Sequence, residues 1–181
     1  MNITFVRHTS VDIEPGTCYG RTDVALKNTF PSEAENVKQK LRDKISLIGE
    51  DFDAVYCSPL SRCKLLADTC GYSCAIPDSR LLEMNFGDWE LKKFDDIKDP
   101  KLQEWFDDWF NVSPPGGESF LDQNRRVKSF LDDLMISKNK NILIFTHAGV
   151  IMNAMLILNL ADIKSLFSHQ PPYGGFLEVE I

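Results

Sequence analysis

A short apolar run near the start of the chain most constrains the fold, because it ends abruptly in an arginine and a histidine. Residues 3–6 read Ile-Thr-Phe-Val, and Arg7 and His8 follow at once. β-Branched and aromatic residues in so short a run are typical of a buried strand. In a sheet covered by helices, the residues after the carboxyl end of a strand lie in the crevice where ligands bind. The run therefore predicts a strand that delivers a cation and an imidazole to a binding crevice.

Strands alternate with helices along the rest of the chain. Apolar runs at 54–57 and 141–146 predict two more buried strands, and residues 176–181 predict a strand that closes the sheet. Helical patterns lie at 32–48, 59–70, 120–134 and 150–158, and one or two helices are expected within 94–110. The first helix is expected to start at Ser32, because Ser32 and Glu35 form a capping-box pattern. The alternation predicts an α/β fold, a three-layer α/β/α sandwich with a mostly parallel central sheet. No linker or repeat interrupts residues 1–181, so a single domain is expected.

Composition excludes several classes of partner. The formal net charge is −7, so neither nucleic acid nor an anionic membrane is expected to bind. The apolar runs are too short to cross a bilayer, and the amino terminus lacks the pattern of a signal peptide. Five cysteines without CxxC spacing are typical of reduced thiols in a cytoplasmic protein. The sequence carries no pattern that sets an oligomeric state.

Polar residues follow three of the predicted strands. They are Arg7 and His8, then Ser58-Pro59-Leu60-Ser61-Arg62, then His147. If the three strands are neighbours, two guanidinium groups and two imidazoles meet in one crevice. Arginine presents a planar fork that suits phosphate oxygens, and the turn at Ala148, which opens a helix, adds N–H donors. The pattern therefore predicts an anion site.

A histidine in such a site can attack phosphorus as a covalent nucleophile. The leaving alcohol then needs an acid, for which a carboxyl group is the natural candidate. Glu83 and Glu118 compete for this role, with Asp12 and Glu14 behind them. Aromatic residues within 94–110 are interpreted as packing that covers the site and could form an apolar wall for a substrate.

Several other kinds of site lack their motifs. The chain has no G-x-x-x-x-G-K-[ST], no G-x-G-x-x-G and no G-x-S-x-G, so a P-loop, a Rossmann fingerprint and a hydrolase elbow are not indicated. It also has no H-E-x-x-H or other metal-ligand spacing, so neither a metal nor a cofactor is expected.

Five motifs in order resemble those of the histidine phosphatase superfamily, the phosphoglycerate mutase-like family. They are Val6-Arg7-His8, Ser58-Pro59-Leu60-Ser61-Arg62, the stretch from Leu82 to Glu90, Pro115-Gly116-Gly117-Glu118-Ser119, and Thr146-His147-Ala148-Gly149-Val150. The resemblance extends from the first strand to beyond residue 150, and it implies the phosphoglycerate mutase-like fold.

The resemblance also implies roles for these residues in a reaction that needs no metal. His8 would be the nucleophile and become a phosphohistidine. Arg7, Arg62 and His147 would hold the phosphoryl oxygens. Glu83 would donate a proton to the leaving group and then activate the water that hydrolyses the phosphoenzyme. Glu118 would lie near the rim of the active site.

Within the family, residues 18–26 and the short chain are most similar to the α-ribazole phosphatase group, which acts late in cobalamin biosynthesis. A small-molecule phosphate ester is thus the expected substrate, with hydrolysis favoured over transfer between hydroxyl groups. Three alternatives remain open: a phosphoglycerate mutase, a phosphatase of broad specificity for sugars and other metabolites, and a non-catalytic module that binds phosphate ligands.

Three positions depart from the family pattern. Thr9 follows the histidine where the family usually has glycine, so the backbone there is expected to take an ordinary conformation. Glu14 aligns with an asparagine that contacts phosphate in the family. Because a carboxylate would repel phosphate, we expect the loop to take another path and Gly20 or Arg21 to supply the contact. Leu91 replaces a usual glycine.

Overall fold

The protein is built on one five-stranded sheet. A computed structural model describes residues 1–181. The strands are β1 (Asn2–Arg7), β2 (Ala54–Cys57), β3 (Ile76–Pro77), β4 (Asn141–Thr146) and β5 (Phe176–Glu180), in the order β3-β2-β4-β1-β5. The first four strands run parallel, and β5 pairs with β1 antiparallel. The predicted fold class is therefore confirmed.

Helices cover both faces of this sheet. They are α1 (Phe30–Ile48), α2 (Ser61–Cys70), α3 (Lys101–Asp107), α4 (Phe120–Ile136) and α5 (Ala148–Ile157). All of β4 is buried, and its residues alternate between two apolar clusters. Ile142 and Ile144 pack with α4 and α5, whereas Leu143 and Phe145 pack with α1 and α2. A strand buried on both faces reads as a continuous apolar run, as this one does. No helix is both long and apolar enough to cross a bilayer.

The register of the central strands brings three strand ends to one edge. Arg7 of β1 pairs with Thr146 of β4, and Cys57 of β2 pairs with Phe145. His8, Ser58 and His147 therefore leave the sheet side by side.

The predicted start of α1 at Ser32 is wrong. The helix begins before Pro31, a residue suited to the first turn because its φ is already helical and it needs no donor. The hydroxyl of Ser32 donates to the carbonyl of Thr29 instead of capping the helix. The capping box of this protein is formed by Ser119 and Asp122, at the start of α4.

The interval 94–110, where one or two helices are expected, contains one short 3₁₀ turn, Phe94–Asp96, and the helix α3. One further boundary differs from the expectation. The predicted helix at 150–158 begins earlier, at Ala148, directly after the third strand end. The two-residue edge strand β3 carries no pattern of its own in the sequence.

Candidate active site

A cavity of about 270 Å³ opens at the edge where the three strands end. Its polar end is formed by Arg7, His8, Tyr19, Glu83, Gln123, Gln170 and Tyr173, together with the first turn of α5. The rest of the lining, here called the apolar wall, consists of Met84, Phe86, Trp105, Trp109, Phe120, Met152 and Phe167. A few polar groups in a largely apolar lining are the usual composition of a small-molecule site.

His8 is held at the polar end as a neutral imidazole. Its side chain is buried, with 2% of the residue exposed, and Nδ1 lies 2.8 Å from the carbonyl oxygen of Thr9. A carbonyl only accepts, so Nδ1 carries the hydrogen and Nε2 keeps its lone pair. Burial, and then the positive charge of Arg62, lower the pKa of His8 to about 3, with a smaller contribution from Arg7. At neutral pH the ring therefore presents an unprotonated nitrogen.

Arg7 lies beside His8 and keeps donor capacity for an anion. Its Nη1 donates to the carbonyl oxygen of Pro171 at 2.7 Å, and the ring of Tyr173 packs 4.0 Å from the guanidinium carbon. Its Nε is buried and has no hydrogen-bond partner. A buried charged donor without a partner is costly, and the oxygens of an anion would satisfy it.

Arg62 and His147 lie behind the cavity and do not line it. Nε of Arg62 donates to Nδ1 of His147 at 3.3 Å, while the two terminal nitrogens donate to the carbonyl oxygens of Gly20 and Thr22. His147 in turn donates from Nε2 to the hydroxyl of Ser58 at 2.7 Å. Burial and the charge of Arg62 hold the pKa of His147 well below its ordinary value. Three of the five N–H donors of Arg62 are thus used within the protein, and two remain.

Arg62 and His147 nevertheless lie close to the proposed nucleophile. The ring centroids of His8 and His147 are 5.1 Å apart, and the charge of Arg62 is the larger of the two arginine influences on His8.

Glu83 lines the cavity at the amino end of α5. Its Oε1 accepts from the backbone N–H of Met84 at 2.9 Å and from Nε2 of Gln123 at 3.1 Å. Its Oε2 accepts from the N–H of Gly149 at 3.2 Å. A carboxylate at a helix amino terminus also benefits from the helix dipole. The carboxyl group is therefore fixed by donors on both oxygens.

Glu118, the competing carboxyl group, does not line the cavity. Its Oε1 accepts from Nη2 of Arg126 at 2.8 Å, from Nη2 of Arg21 at 3.2 Å and from the N–H of Asn85 at 2.9 Å. Arg126 also donates to the carbonyl oxygen of Glu83. Glu118 thus supports the segment that carries Glu83.

Gly20 and Arg21 belong to a loop that is anchored to Glu90. The Glu90 carboxylate accepts from the backbone N–H groups of Gly20, Arg21 and Thr22 at 2.8–3.1 Å, and from that of Phe86 at 3.1 Å. Burial alone would raise the pKa of Glu90, but the bonds from Thr22, Arg21 and Phe86 outweigh it and lower the pKa. The N–H of Gly20 is consequently used, and its carbonyl faces Arg62.

The departures from the family pattern have simple structural outcomes. Thr9 has no positive φ, which confirms the expectation of an ordinary conformation. Glu14 is directed to the surface, with 73% of its side chain exposed and an ion pair to Lys93 at 2.6 Å. Asp12 is also exposed. Leu91 adopts a φ of 64°, so the conformation that favours glycine persists without it.

Sequence reasoning assigned no role to Tyr19, Tyr173 or Gln123. The two tyrosine hydroxyls are 2.6 Å apart, Tyr19 lies over the Arg62 guanidinium group, and Tyr173 lies 5.5 Å from the His8 ring. Both tyrosines sit beside glycines in loops, where functional residues are common. That signal could have marked them. Gln123 lies within a helix, and only its tertiary position shows its contact with Glu83.

Comparisons with known proteins agree with this geometry. The family model of the histidine phosphatase superfamily (branch 1) matches residues 3–181. An adenosylcobalamin/alpha-ribazole phosphatase of Salmonella typhimurium is 28% identical over 189 residues, which cover 100% of this chain and 91% of that protein. A 2,3-bisphosphoglycerate-dependent phosphoglycerate mutase of Mesorhizobium japonicum is 31% identical over 152 residues, covering 77% of this chain and 72% of that protein.

A solved structure is similar over the whole chain. The alpha-ribazole phosphatase of Shigella flexneri superimposes with a TM-score of 0.86 at 27% identity, covering 100% of this chain and 91% of that one. The chain belongs to the histidine phosphatase superfamily. Its relatives and its site together support a phosphatase.

Proposed function

We propose that the protein hydrolyses phosphate monoesters through a covalent phosphohistidine on His8. The observation that carries the proposal is the neutral His8 ring, which keeps an unprotonated Nε2 and lines one cavity together with Arg7 and Glu83. A nucleophile, an anion-binding cation and a general acid are the three groups that such a reaction needs.

In the first half-reaction Nε2 of His8 attacks phosphorus, and the bond from phosphorus to the ester oxygen breaks. Protonated Glu83 gives its proton to that oxygen, so the organic group leaves as a neutral alcohol. In the second half-reaction ionised Glu83 takes a proton from water, whose oxygen attacks the phosphohistidine. The phosphorus–nitrogen bond breaks, which restores His8 and releases inorganic phosphate.

The phosphoryl oxygens would be held by donors on several sides. Arg7 offers its buried Nε, and Arg62 offers the two N–H groups that it does not use within the protein. The N–H of Ala148, at the amino end of α5, would complete the set. Both ring nitrogens of His147 are used by Arg62 and Ser58, so His147 would serve by holding Arg62 in place. A bidentate guanidinium contact suits a phosphoryl group better than an ammonium group would.

The organic part of the substrate would pack against the apolar wall. Arg7 is the only lysine or arginine that lines the cavity, and the phosphoryl group would occupy it. The carboxylate of a phosphoglycerate would then face an apolar wall without a partner, which costs several kcal/mol. A neutral aromatic group suits this wall, for example the benzimidazole of α-ribazole. The similarity to alpha-ribazole phosphatases supports the same choice, so α-ribazole 5′-phosphate is the preferred candidate, with a role in cobalamin biosynthesis.

The experiment is a measurement of phosphate release in EDTA from α-ribazole 5′-phosphate and 3-phosphoglycerate, with mutase activity followed in parallel. The proposal predicts release that His8→Ala abolishes, with a clear preference for the aromatic ester. Interconversion of phosphoglycerates without phosphate release would identify a mutase instead. Tight phosphate binding without turnover of any ester would identify a binding module.

A further inference from the structure

We propose that Asn124, Asn153 and Gln123 form an amide relay that positions Glu83 and directs its transferable proton to Oε2. The inference rests on the proposed function, because it concerns Glu83 as the acid and base of that reaction. None of the three amides belongs to the motifs that resemble the family.

The relay runs from the half-buried Asn124 to the cavity. Nδ2 of Asn124 donates to Oδ1 of Asn153 at 2.8 Å, and Nδ2 of Asn153 donates to Oε1 of Gln123 at 3.2 Å. Nε2 of Gln123 then donates to Oε1 of Glu83 at 3.1 Å. Asn153 and Gln123 are fully buried, and their amide groups bond to other protein atoms. Each amide in this chain orients the next.

The direction of the relay is fixed at two points by backbone carbonyls. Nδ2 of Asn153 lies 3.0 Å from the carbonyl oxygen of Gly149, and Nε2 of Gln123 lies 3.4 Å from that of Leu82. Because a carbonyl only accepts, both contacts require the NH₂ end of the amide. Reversing either amide would set oxygen against oxygen. Gln123 therefore presents a donor, and not an acceptor, to Glu83.

This arrangement makes the two oxygens of Glu83 unequal. Oε1 accepts two hydrogen bonds, from Gln123 and from the N–H of Met84, whereas Oε2 accepts one, from Gly149. Two donors on Oε1 leave little room for a hydrogen there, so Oε2 is the atom that carries the proton. The donors also stabilise the ionised form that the second half-reaction needs.

Charged and titratable groups surround Glu83 on several elements. They are Arg7 at the end of β1, His8 after it, Tyr19 and Tyr173 in loops, Cys63 on α2, Glu118 and Arg126 at α4, and His147 before α5. Gln123→Met changes none of these charges and nearly preserves side-chain volume, so its effect on a pH profile would come from the lost donor.

The test combines a pH profile of kcat/KM with a comparison of leaving groups. In Gln123→Met the alkaline limb of the profile should move to higher pH by about one unit. The reason is that methionine cannot donate the hydrogen bond that stabilises the ionised form of Glu83. Hydrolysis of phenyl phosphate should fall about tenfold more than that of p-nitrophenyl phosphate, whose weakly basic leaving group needs little protonation. Structural damage alone would lower both rates equally and leave the limb in place.

Two further variants complete the design. Gln39→Met, an exposed glutamine of α1 that donates to Asp43, should match the wild type in both readouts. Asn124→Ala removes only the outer amide and should shift the alkaline limb in the same direction by a smaller amount. If Gln123→Met does not fold, Asn124→Ala alone tests the inference. An unmoved limb in either relay variant, with an unchanged ratio of rates, would overturn the inference.

Failure of the proposed function would look different. If Glu83→Gln retains the wild-type rate, Glu83 is not the acid and the proposal and the inference fall together. If Glu83→Gln is inactive while the relay variants match the wild type, only the inference is wrong.

Discussion

Because His8 is neutral in the folded protein, we expect the free energy of unfolding to fall in mild acid. Replacing His8 should remove the part of this fall that comes from its ring. The perturbation is His8→Asn, whose amide can still donate to the carbonyl oxygen of Thr9 as Nδ1 of His8 does. The pKa of His8 is about 3 in the folded protein, against an ordinary value of 6.5. Between these values the unfolded chain binds a proton that the folded protein excludes. By linkage, the free energy of unfolding must fall as pH falls through 6.5 toward 3.

The magnitude follows from the two pKa values. At pH 5, about 1.5 units below the ordinary pKa, an unfolded histidine is almost fully protonated while His8 in the fold is not. Each unit corresponds to ~1.4 kcal/mol, so His8 contributes about 2 kcal/mol of destabilisation at pH 5 relative to pH 7. His147 adds its own contribution of the same sign, because its pKa is also lowered by burial. His8→Asn should therefore reduce the slope without abolishing it.

Urea denaturation at pH 7 and pH 5, in buffers free of phosphate and sulfate, measures this difference directly. The loss of stability between the two pH values should be about 2 kcal/mol smaller for His8→Asn than for the wild type. His169→Asn is the matched control, because His169 is exposed. An identical slope in the wild type and His8→Asn would refute the argument, since His8 would then titrate alike in both states and would not be held neutral.

Three more substitutions test the site and its supports. Leu91→Gly should raise the free energy of unfolding by about 0.5–1 kcal/mol in urea titrations, because leucine is strained at a φ of 64°. Gly149→Ala should lower kcat roughly 10²-fold or more, because a Cβ there would overlap Oε1 of Glu83 and crowd Oε1 of Gln123. Glu90→Gln should destabilise the protein by about 2 kcal/mol and raise KM. The NH₂ group of the new amide would face the backbone N–H groups that Glu90 accepts from, and these belong to the loop whose carbonyls bind Arg62.

Each of these has a matched control. Leu91→Ala keeps the strained backbone and should gain nothing. Gly71→Ala, at the end of α2 with a φ of 101°, should cost stability but not kcat. Glu14→Gln changes a surface carboxylate that pairs only with Lys93 and should leave KM unchanged. The quantity compared is the free energy of unfolding for the Leu91 pair, kcat for the glycine pair and KM for the glutamate pair. A control that shows the same change as its test variant would contradict that prediction.

The fold could be predicted wherever local pattern and tertiary burial agree. β4 reads as a continuous apolar run because helices cover both of its faces, and Gly49 ends α1 in the left-handed conformation. The sequence predicts the start of α1 wrongly, because Ser32 and Glu35 match a capping pattern while the helix already begins before Pro31. β3 was invisible because two residues carry no periodicity.

In the candidate site, too, some residues could be predicted from the sequence and others could not. Arg7 ends β1, and His8 and His147 directly follow β1 and β4, so topology alone brings them to one edge. Whether a residue lines the cavity or lies behind it depends on side-chain packing, which the motifs do not encode. Arg62 is accordingly covered by loop carbonyls, and Gln123 reaches the site from the middle of a helical pattern.

The most direct test of the account is to trap the phosphoenzyme. The protein is mixed with a phosphate ester, quenched within the first turnovers, and digested for mass spectrometry under basic conditions. The account predicts an acid-labile, base-stable phosphoryl group on the peptide that contains His8, and its absence in His8→Ala. A phosphoryl group on any other residue, or undiminished turnover by His8→Ala, would contradict it.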